Sequence, residues 1–335
     1  MKPKLTKARF GWGALFLIVF ILGHPSFGRA ADASVQAAYR LKWLFNASVI
    51  GDIYADAHQY FKNAGLDVTV KEGGPERDAI RELELGYAQF GVASADQVIR
   101  AMAKGSPVVV IAQLFQINPL QWIYRADKFS LNSIEDLKGK VVGITFGGND
   151  ETIMRTLMAK GNLTEKDVDI FSVRYDYTPF YQKKVDVWPV YRNSQAPILE
   201  KKLNDAGEKT AFFNPAAFGV KFVANSVVTS KKMMESQPDV VRRFIRALLA
   251  AWEKALDVEN EALALKTLKQ YDKDTPPDIM SQQFTITRSL VKPFKDTKIG
   301  SIDVDAWKMT ETIMLQQKQI QVPVHVETVL VDPFK

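Results

Sequence analysis

The chain has 335 residues, 47% of them apolar and 24% charged, which is the composition of a globular protein and excludes a disordered or collagen-like one. This length allows about two domains with a large core. The absence of cysteine excludes disulfides, thiolate zinc sites, iron–sulfur clusters and cysteine nucleophiles. The net charge of +6 would fit a nucleic-acid or membrane partner if it were spread over the folded chain.

The first thirty residues resemble a secretory signal peptide. Four basic residues and no acid precede the apolar run 10–22, which is short for a membrane span. Small residues at Gly28 and Ala30 predict cleavage after Ala30, with cleavage after Ala33 as an alternative. An uncleaved N-terminal anchor is the other interpretation of this segment.

Removal of this leader (residues 1–30) changes the charge of the chain. It contains five of the 44 basic residues and no acid, so 39 basic and 38 acidic residues remain, a net charge of +1. The basicity therefore indicates targeting, and no nucleic-acid partner is expected. No later segment approaches 18 consecutive apolar residues, and no cysteine is available for a lipid anchor. We expect a periplasmic protein, exported by a cleavable signal peptide, that is not a lipoprotein.

Strand-like and helix-like segments then alternate in the first part of the chain. Period-two alternation predicts a strand at 39–45, and further strands are predicted at 66–70, 90–93 and 108–112. Between them, apolar spacing predicts helices over 53–64, ended by Gly65, over 77–85, and from the Ser94 and Asp96 caps to 104. Repeated alternation of this kind predicts a parallel sheet covered by helices.

A second set of alternating elements follows, and the chain is then helical. The sequence predicts strands at 141–146 and 168–175, a helix from Asn149 or Asp150 to 159, a helix-and-strand unit at 180–191, a helix at 197–204 and a returning strand at 218–228. An apolar stripe after Pro238 predicts a long amphipathic helix. Further helices are predicted at 259–271, 277–290 and 304–318.

These elements predict an α/β protein with two lobes, each built on a mixed or parallel sheet with helices on both faces. We expect lobe 1 to contain residues 34–122 and 224–335, and lobe 2 to contain residues 123–223. The chain would cross between the lobes near 113–124 and 218–228. Two lobes joined by two crossovers form a cleft that can close by a hinge.

Two stretches resemble the substrate-binding proteins of ABC importers, in the subgroup of sulfonate or taurine binders and thiamine-pyrimidine-precursor binders. They are LGYAQFGV at 85–92 and AxAxGSPVV at 101–109. The motifs DLKGKxVG at 136–143, GGxDE at 147–151 and VDVxPVY at 185–191 support the resemblance, which extends over about 39–252. It implies the type II periplasmic-binding-protein fold, a small-molecule ligand, a permease partner in the inner membrane, a monomer and no cofactor.

Aromatic and polar residues concentrate where predicted strands end, and loops at the carboxyl ends of parallel strands face the crevice. The candidate ligand-binding residues are Trp43, Asn46, Tyr54, Glu72, Ser94, Asp96, Trp122, Gly147, Gly148, Asn149, Asp150, Tyr175, Trp188 and Tyr191. Core packing is the alternative interpretation of each aromatic residue. Helix capping is the alternative for Ser94, Asp96, Asn149 and Asp150.

Acids and aromatics dominate these loops, which favours a neutral or cationic heterocycle such as an aminopyrimidine. Aromatic faces can stack on such a ring, and carboxylate or amide oxygens can accept its N–H groups. A sulfonate or another small anion is the alternative ligand. It could bind free N–H groups at Gly147 and Gly148, or an arginine among Arg77, Arg81, Arg125 and Arg174.

The sequence does not indicate catalysis or a metal site. After the leader only His58 and His325 occur, and no metal-ligand spacing, nucleophile elbow or Walker loop is present. Thiamine pyrimidine synthase is an enzyme of the same fold and remains the alternative. The resemblance places Val49 where that enzyme has a histidine, and its cysteine motif is absent here. Lys62 could carry pyridoxal phosphate, but a solvated helix position is the simpler interpretation. A receptor domain of a sensor would need an attached output module, which the sequence lacks.

Overall fold

A computed structural model of the protein describes residues 34–74, 77–174 and 176–335. The predicted leader and the candidate Tyr175 lie outside the described residues. The strands are β1 (Val35–Arg40), β2 (Leu66–Lys71), β3 (Phe90–Ala93), β4 (Val108–Gln113), β5 (Leu120–Arg125), β6 (Val141–Ile144), β7 (Asp169–Ser172), β8 (Val187–Tyr191), β9 (Thr210–Phe213) and β10 (Ser226–Ser230).

Helices connect and cover these strands. They are α1 (Ile50–Ala57), α2 (Tyr60–Asn63), α3 (Ala79–Leu85), α4 (Ala95–Met102), α5 (Asn149–Lys160), α6 (Thr178–Tyr181), α7 (Gln195–Asp205), α8 (Lys231–Ser236), α9 (Pro238–Leu256), α10 (Glu261–Tyr271), α11 (Pro277–Val291) and α12 (Val304–Gln316). Short 3-10 helices lie at Ala47–Val49, Glu135–Leu137, Pro215–Phe218, Val258–Asn260 and Val326–Val329. None of the helices in the described part of the chain is long and apolar enough to cross a membrane.

The strands form two five-stranded mixed sheets. The first has the order β2-β1-β3-β10-β4, in which β10 is antiparallel to both β3 and β4. The second has the order β7-β6-β8-β5-β9, in which β5 is antiparallel to both β8 and β9. The remaining pairs are parallel. This arrangement confirms the predicted two-lobed α/β fold.

The chain passes between the sheets twice, after β4 and again after β9. These passages fall in the two predicted crossover regions. The predicted boundary between the lobes follows Trp122 and so lies inside strand β5. All of β5 belongs to the second sheet. The division of the remaining segments between the lobes stays a prediction.

The predicted elements at the start of the chain are shifted or divided. The first strand was predicted at 39–45 but lies earlier, because Val35 to Arg40 pair with Leu66 to Lys71 on β2. The predicted helix 53–64 is two helices, interrupted at Gln59, which has a φ of 60°. Gly65, with a φ of 71°, ends the second of them as predicted.

Helix α9 forms the centre of the core beside the first sheet. The apolar stripe predicted for it is buried in full, at Val240, Phe244, Leu248, Trp252 and Leu256. The ring of Phe244 stacks on Phe90 of β3, with centroids 3.7 Å apart. Gly51 allows α1 to pack closely on α9, because a Cβ atom at this position would lie 2.0 Å from Cδ2 of Trp252.

Candidate ligand-binding site

A cavity of about 320 Å³ lies between loops of the two sheets. The loops after β1 and β3 of the first sheet contribute Trp43 and Ser94, and those after β6, β7 and β8 of the second contribute Thr145, Arg174 and Asn193. These are the carboxyl ends of the strands, where ligands bind in open α/β sheets. The volume is at the lower end of the range for small-molecule sites.

Nine of the fourteen candidate residues line this cavity. They are Trp43, Ser94, Asp96, Gly147, Gly148, Asn149, Asp150, Trp188 and Tyr191. Tyr175 lies outside the described residues. The other four, Asn46, Tyr54, Glu72 and Trp122, are not part of the lining.

Each of these four side chains has a structural partner instead. The Asn46 side chain accepts the Ser48 N–H (2.8 Å) and caps a 3-10 helix, and Glu72 Oε1 accepts the Phe45 N–H (2.9 Å). The hydroxyl of Tyr54 accepts a hydrogen bond from Asn260 Nδ2 (2.9 Å). The indole N–H of Trp122 donates to the carbonyl of Gly143 (3.0 Å). Tyr54 and Trp122 therefore fit the core-packing interpretation.

The first helix end at the cavity is that of α4. Ser94 is its N-cap residue, and its Oγ donates to Asp96 Oδ1 (2.5 Å), while its N–H donates to Gln97 Oε1 (3.1 Å). Asp96 is 2% exposed and pairs with Arg100 one turn further on. This charge is therefore compensated within the helix, and Ser94 with Gln97, rather than Asp96, forms the capping box.

The second helix end is that of α5, where carboxyl groups of the first turn bind N–H groups of the preceding loop. Asp150 Oδ2 accepts the Thr145 N–H (2.6 Å), and Glu151 Oε2 accepts the Gly147 N–H (2.7 Å). The Gly148 N–H donates to the carbonyl of Thr145 (2.8 Å). The expectation of free N–H groups at Gly147 and Gly148 is therefore wrong, because both are used inside the loop.

Burial has the largest effect on the pKa of Asp150. It raises the pKa of this carboxyl from 3.8 to about 6, although the hydrogen bond from the Thr145 backbone opposes the shift. Two carboxyl groups thus lie at the N-terminus of α5, where an incoming anion would otherwise find the positive end of the helix.

Aromatic rings make up much of the remaining lining. They belong to Trp43, Phe115, Tyr177, Trp188 and Tyr191. Trp188 is 1% exposed and packs beside Tyr177, with centroids 5.7 Å apart. The hydroxyl of Tyr191 accepts a hydrogen bond from Asn149 Nδ2 (3.1 Å). The rings are therefore held in position by other side chains, which limits the entropy lost when a ligand binds.

Several lining residues were missed by the sequence prediction. Polar examples are Ser48, Gln97, Thr145, Asn193, Ser194, Gln195 and Asn225. The residues 193–195 directly follow β8, so the rule that loops after strands face the crevice could have found them. Asn225 precedes β10, which is antiparallel, and the assumption of a parallel sheet hid it.

The ionisable lining residues are three cations, Lys42, Arg100 and Arg174, and two carboxyls, Asp96 and Asp150. The expectation that acids dominate was therefore incorrect. Two of the other arginines that the sequence offered as partners of an anionic ligand are already paired with acids. Arg125 pairs with Glu208 (2.7 Å), and Arg81 pairs with Glu84 (3.3 Å). Neither they nor Arg77 lines the cavity.

Residues considered for metal binding or catalysis lie elsewhere. His58 stacks on Tyr54 with centroids 4.0 Å apart, and its Nε2 is 2.9 Å from Thr267 Oγ1. Neither His58, Lys62 nor His325 belongs to the lining of the cavity. No group of three or more metal-ligating side chains is found in the described ranges.

Two mixed sheets joined by two passages, with a cavity at the loops between them, are the architecture of the periplasmic-binding-protein fold. The chain belongs to the NMT1/THI5-like family, whose model matches residues 46–262.

Curated relatives match nearly the whole chain. A Haemophilus influenzae protein named for thiamine biosynthesis is 26% identical, covering 90% of this chain and 92% of its own. The riboflavin-binding protein RibY of Chloroflexus aurantiacus is 25% identical, with coverage of 89% and 86%. A formylaminopyrimidine-binding protein of Halalkalibacterium halodurans is 23% identical, with coverage of 88% and 90%.

A solved structure confirms the fold. The alkanesulfonate-binding protein SsuA of Xanthomonas axonopodis pv. citri, bound to MOPS, has a TM-score of 0.66 and 17% sequence identity. The match covers 90% of this chain and 98% of that protein. The fold is therefore that of the substrate-binding proteins of ABC importers.

Proposed function

We propose that this protein is the extracytoplasmic receptor of an ABC importer and that it captures a small nitrogen heterocycle related to the thiamine pyrimidine. The observation that carries the proposal is the chemistry of the cavity. Five aromatic rings and several amide or hydroxyl groups line it, and beside them Asp150 and Glu151 of α5 accept the backbone N–H groups of Thr145 and Gly147.

A planar heterocycle matches both parts of this lining. Its faces can stack on aromatic rings such as Trp43 and Tyr191, which adds about 1 kcal/mol beyond the burial of area. Its ring nitrogens and amino groups can pair with side chains such as Asn149, Asn193 and Asn225. Binding between loops of two lobes would favour a closed form, which is the form presented to the permease.

Two relatives support this ligand class. RibY is named as a binder of riboflavin, and the Halalkalibacterium protein as a binder of formylaminopyrimidine. Both named ligands are planar nitrogen heterocycles. The small cavity volume favours a single-ring ligand of the pyrimidine type.

A sulfonate is the second candidate ligand, and it is favoured by Lys42 and Arg174, which line the cavity. An organic anion could pair with either cation. However, the N–H groups of Thr145 and Gly147 are already bonded to Asp150 and Glu151, whose carboxyl groups lie close to where an anion would approach the N-terminus of α5.

We further propose that the protein is not an enzyme, acts as a monomer and works in the periplasm with an inner-membrane permease. The synthase alternative requires a histidine and a cysteine motif. Val49 occupies the expected place of the histidine and is 1% exposed, and the chain contains no cysteine. In that enzyme the histidine side chain is itself a substrate, and the apolar side chain of Val49 cannot supply its atoms.

Isothermal titration calorimetry tests this function. The purified protein is titrated with formylaminopyrimidine, hydroxymethylpyrimidine, thiamine, riboflavin and taurine. We expect saturable binding of at least one pyrimidine and at least tenfold weaker binding of taurine. Tight taurine binding without any heterocycle binding would contradict the proposed ligand class. Release of a pyrimidine product in the presence of iron and pyridoxal phosphate would contradict the receptor function.

A further inference from the structure

We infer that Asn193 determines ligand specificity by presenting an acceptor oxygen to an N–H group of the ligand. This inference rests on the proposed function and assigns a role within the same cavity. Asn193 lines the cavity and is 1% exposed. Its Oδ1 is buried and has no hydrogen-bond partner among the residues that the structure describes.

The hydrogen bonds of Thr287 fix the orientation of the Asn193 amide. The Thr287 hydroxyl donates its single hydrogen to the carbonyl of Gln283 (2.8 Å). Toward Asn193 it can therefore only accept, and Nδ2 of Asn193 donates to it over 3.1 Å. A flipped amide would place two acceptors against each other, so the Nδ2 group faces Thr287 and Oδ1 is left for another donor.

The backbone beside Asn193 is also held in place. Gln283 Nε2 donates to the carbonyl of Ser194 (2.7 Å), and the Ser194 N–H donates to the carbonyl of Tyr191 (3.1 Å). Helix α11 thus holds the loop after β8 through two side chains, Gln283 and Thr287. Because neither the amide nor its loop can reorient without breaking these bonds, Oδ1 is a preorganised acceptor.

An unpaired buried acceptor discriminates between ligands that differ in a single donor. A ligand with an N–H at this position pairs with Oδ1, whereas an isosteric methyl group leaves the oxygen unsatisfied. The expected ligand class is therefore a heterocycle with an exocyclic amino or formylamino N–H. The loss on replacing N–H by methyl should be about 10-fold to 100-fold in Kd.

The test compares two probes by calorimetry. They are hydroxymethylpyrimidine, which has an exocyclic amino group, and its analogue with a methyl group in place of that amino group. Wild type should prefer the amino probe by about 10-fold or more, and Asn193→Leu should reduce this preference to within about threefold.

The outcomes separate this inference from the proposed function. If Asn193→Leu weakens both probes equally and the preference persists, Asn193 is only structural and the inference is wrong. If wild type binds neither pyrimidine, the proposed function fails together with the inference. Because the readout is a ratio measured on one protein, reduced stability of a variant does not imitate it.

Discussion

Asp52 is a carboxyl group buried in the core, away from the cavity lining. It lies on α1, is 1% exposed and accepts a hydrogen bond from the hydroxyl of Tyr39 (2.6 Å). Burial raises its pKa from 3.8 to about 7, although the Tyr39 hydrogen bond lowers it in part. The folded protein therefore holds this proton at pH values where the unfolded chain has lost it.

Removal of the Asp52 charge should change the pH dependence of stability. Since the folded pKa is raised, its contribution is fully present below pH 3.8 and is lost as the pH rises through about 7. Asp52→Asn does not titrate, so its stability relative to wild type should increase between pH 4.5 and 7.5, by about 3 kcal/mol. Urea unfolding at both pH values measures this. A constant difference between the two proteins would contradict the raised pKa.

Tyr39→Phe is the matched variant for this experiment. It removes the hydroxyl that stabilises the Asp52 carboxylate and leaves the ring in the core, where it packs on Phe244 with centroids 5.1 Å apart. The decline of stability with pH should therefore be steeper than in wild type. A shallower decline would show that the Tyr39 hydroxyl does not stabilise the ionised form.

Trp43 should contribute to ligand affinity through its aromatic face. Trp43→Ala is expected to weaken binding of a pyrimidine by about 10-fold or more, because stacking and apolar contact are lost. Calorimetry measures the effect. Trp307→Phe is the control, since Trp307 is buried on α12 and its N–H donates to Gln113 Oε1 (3.1 Å) outside the cavity lining. Trp307→Phe should lower the free energy of unfolding and leave the affinity for the pyrimidine unchanged. An equal loss of affinity in Trp43→Ala and Trp307→Phe would argue against stacking by Trp43.

At the scale of elements, the beginning of α5 shapes the cavity through Gly148. A Cβ atom there would lie 2.3 Å from Asp150 Oδ1 and 2.9 Å from the Thr145 carbonyl oxygen. Gly148→Ala must therefore displace two residues of the lining, and we expect roughly a tenfold loss of ligand affinity, as small misplacements in a preorganised site are costly. Titration calorimetry on the variant measures this loss.

Gly207→Ala provides a contrast in the connection between α7 and β9. Its φ of +77° strains an alanine, but no atom lies within 4 Å of the added Cβ. It should cost about 1 kcal/mol of stability and leave affinity unchanged. If Gly148→Ala binds ligand as tightly as Gly207→Ala does, the α5 loop is not part of the site.

The sequence predicted those elements whose signals are local. The stripe of α9, the glycine ends of α2 and α3 and the strands β2, β3 and β4 follow from spacing and capping within a few residues. Strands β5 and β9 were missed, and β10 starts only at Ser226. Their extents depend on antiparallel partners far away in the chain, which local patterns do not contain.

The contrast between local signals and distant partners also explains which site residues were predicted correctly. The rule that loops after strands face the crevice found Ser94, Gly147 and Asp150 because it depends on strand ends alone. It failed for Tyr54, whose partner Asn260 is 206 residues further along the chain. No pattern near Tyr54 indicates that its hydroxyl is already paired in the core.

At the scale of the whole molecule, both passages between the sheets are coupled. The side chain of Asn118, in the first passage, donates to the carbonyl of Phe222 in the second over 2.8 Å. Gln319, near the end of the chain, accepts a hydrogen bond from Arg100 on α4 (3.1 Å) and donates to Thr152 on α5. The two passages and the C-terminal segment therefore link the parts of the chain that carry the two sheets.

Ligand binding should make the molecule more compact. Small-angle X-ray scattering at saturating hydroxymethylpyrimidine is expected to give a smaller radius of gyration than the ligand-free protein. Trp43→Ala, measured at the same ligand concentration, should show a smaller decrease because it is less saturated. A radius that stays constant while calorimetry shows saturation would exclude closure on the ligand.

The central claim is that a small heterocycle binds between the two sheets. A crystal structure of the protein with formylaminopyrimidine tests it most directly. We expect that crystal structure to show one pyrimidine ring in the cavity. The ring should contact Trp43, in a loop of the first sheet, and residues of the loop after β8. A ring bound outside this cavity, or a cavity occupied by a sulfonate in preference to the pyrimidine when both are supplied, would contradict it.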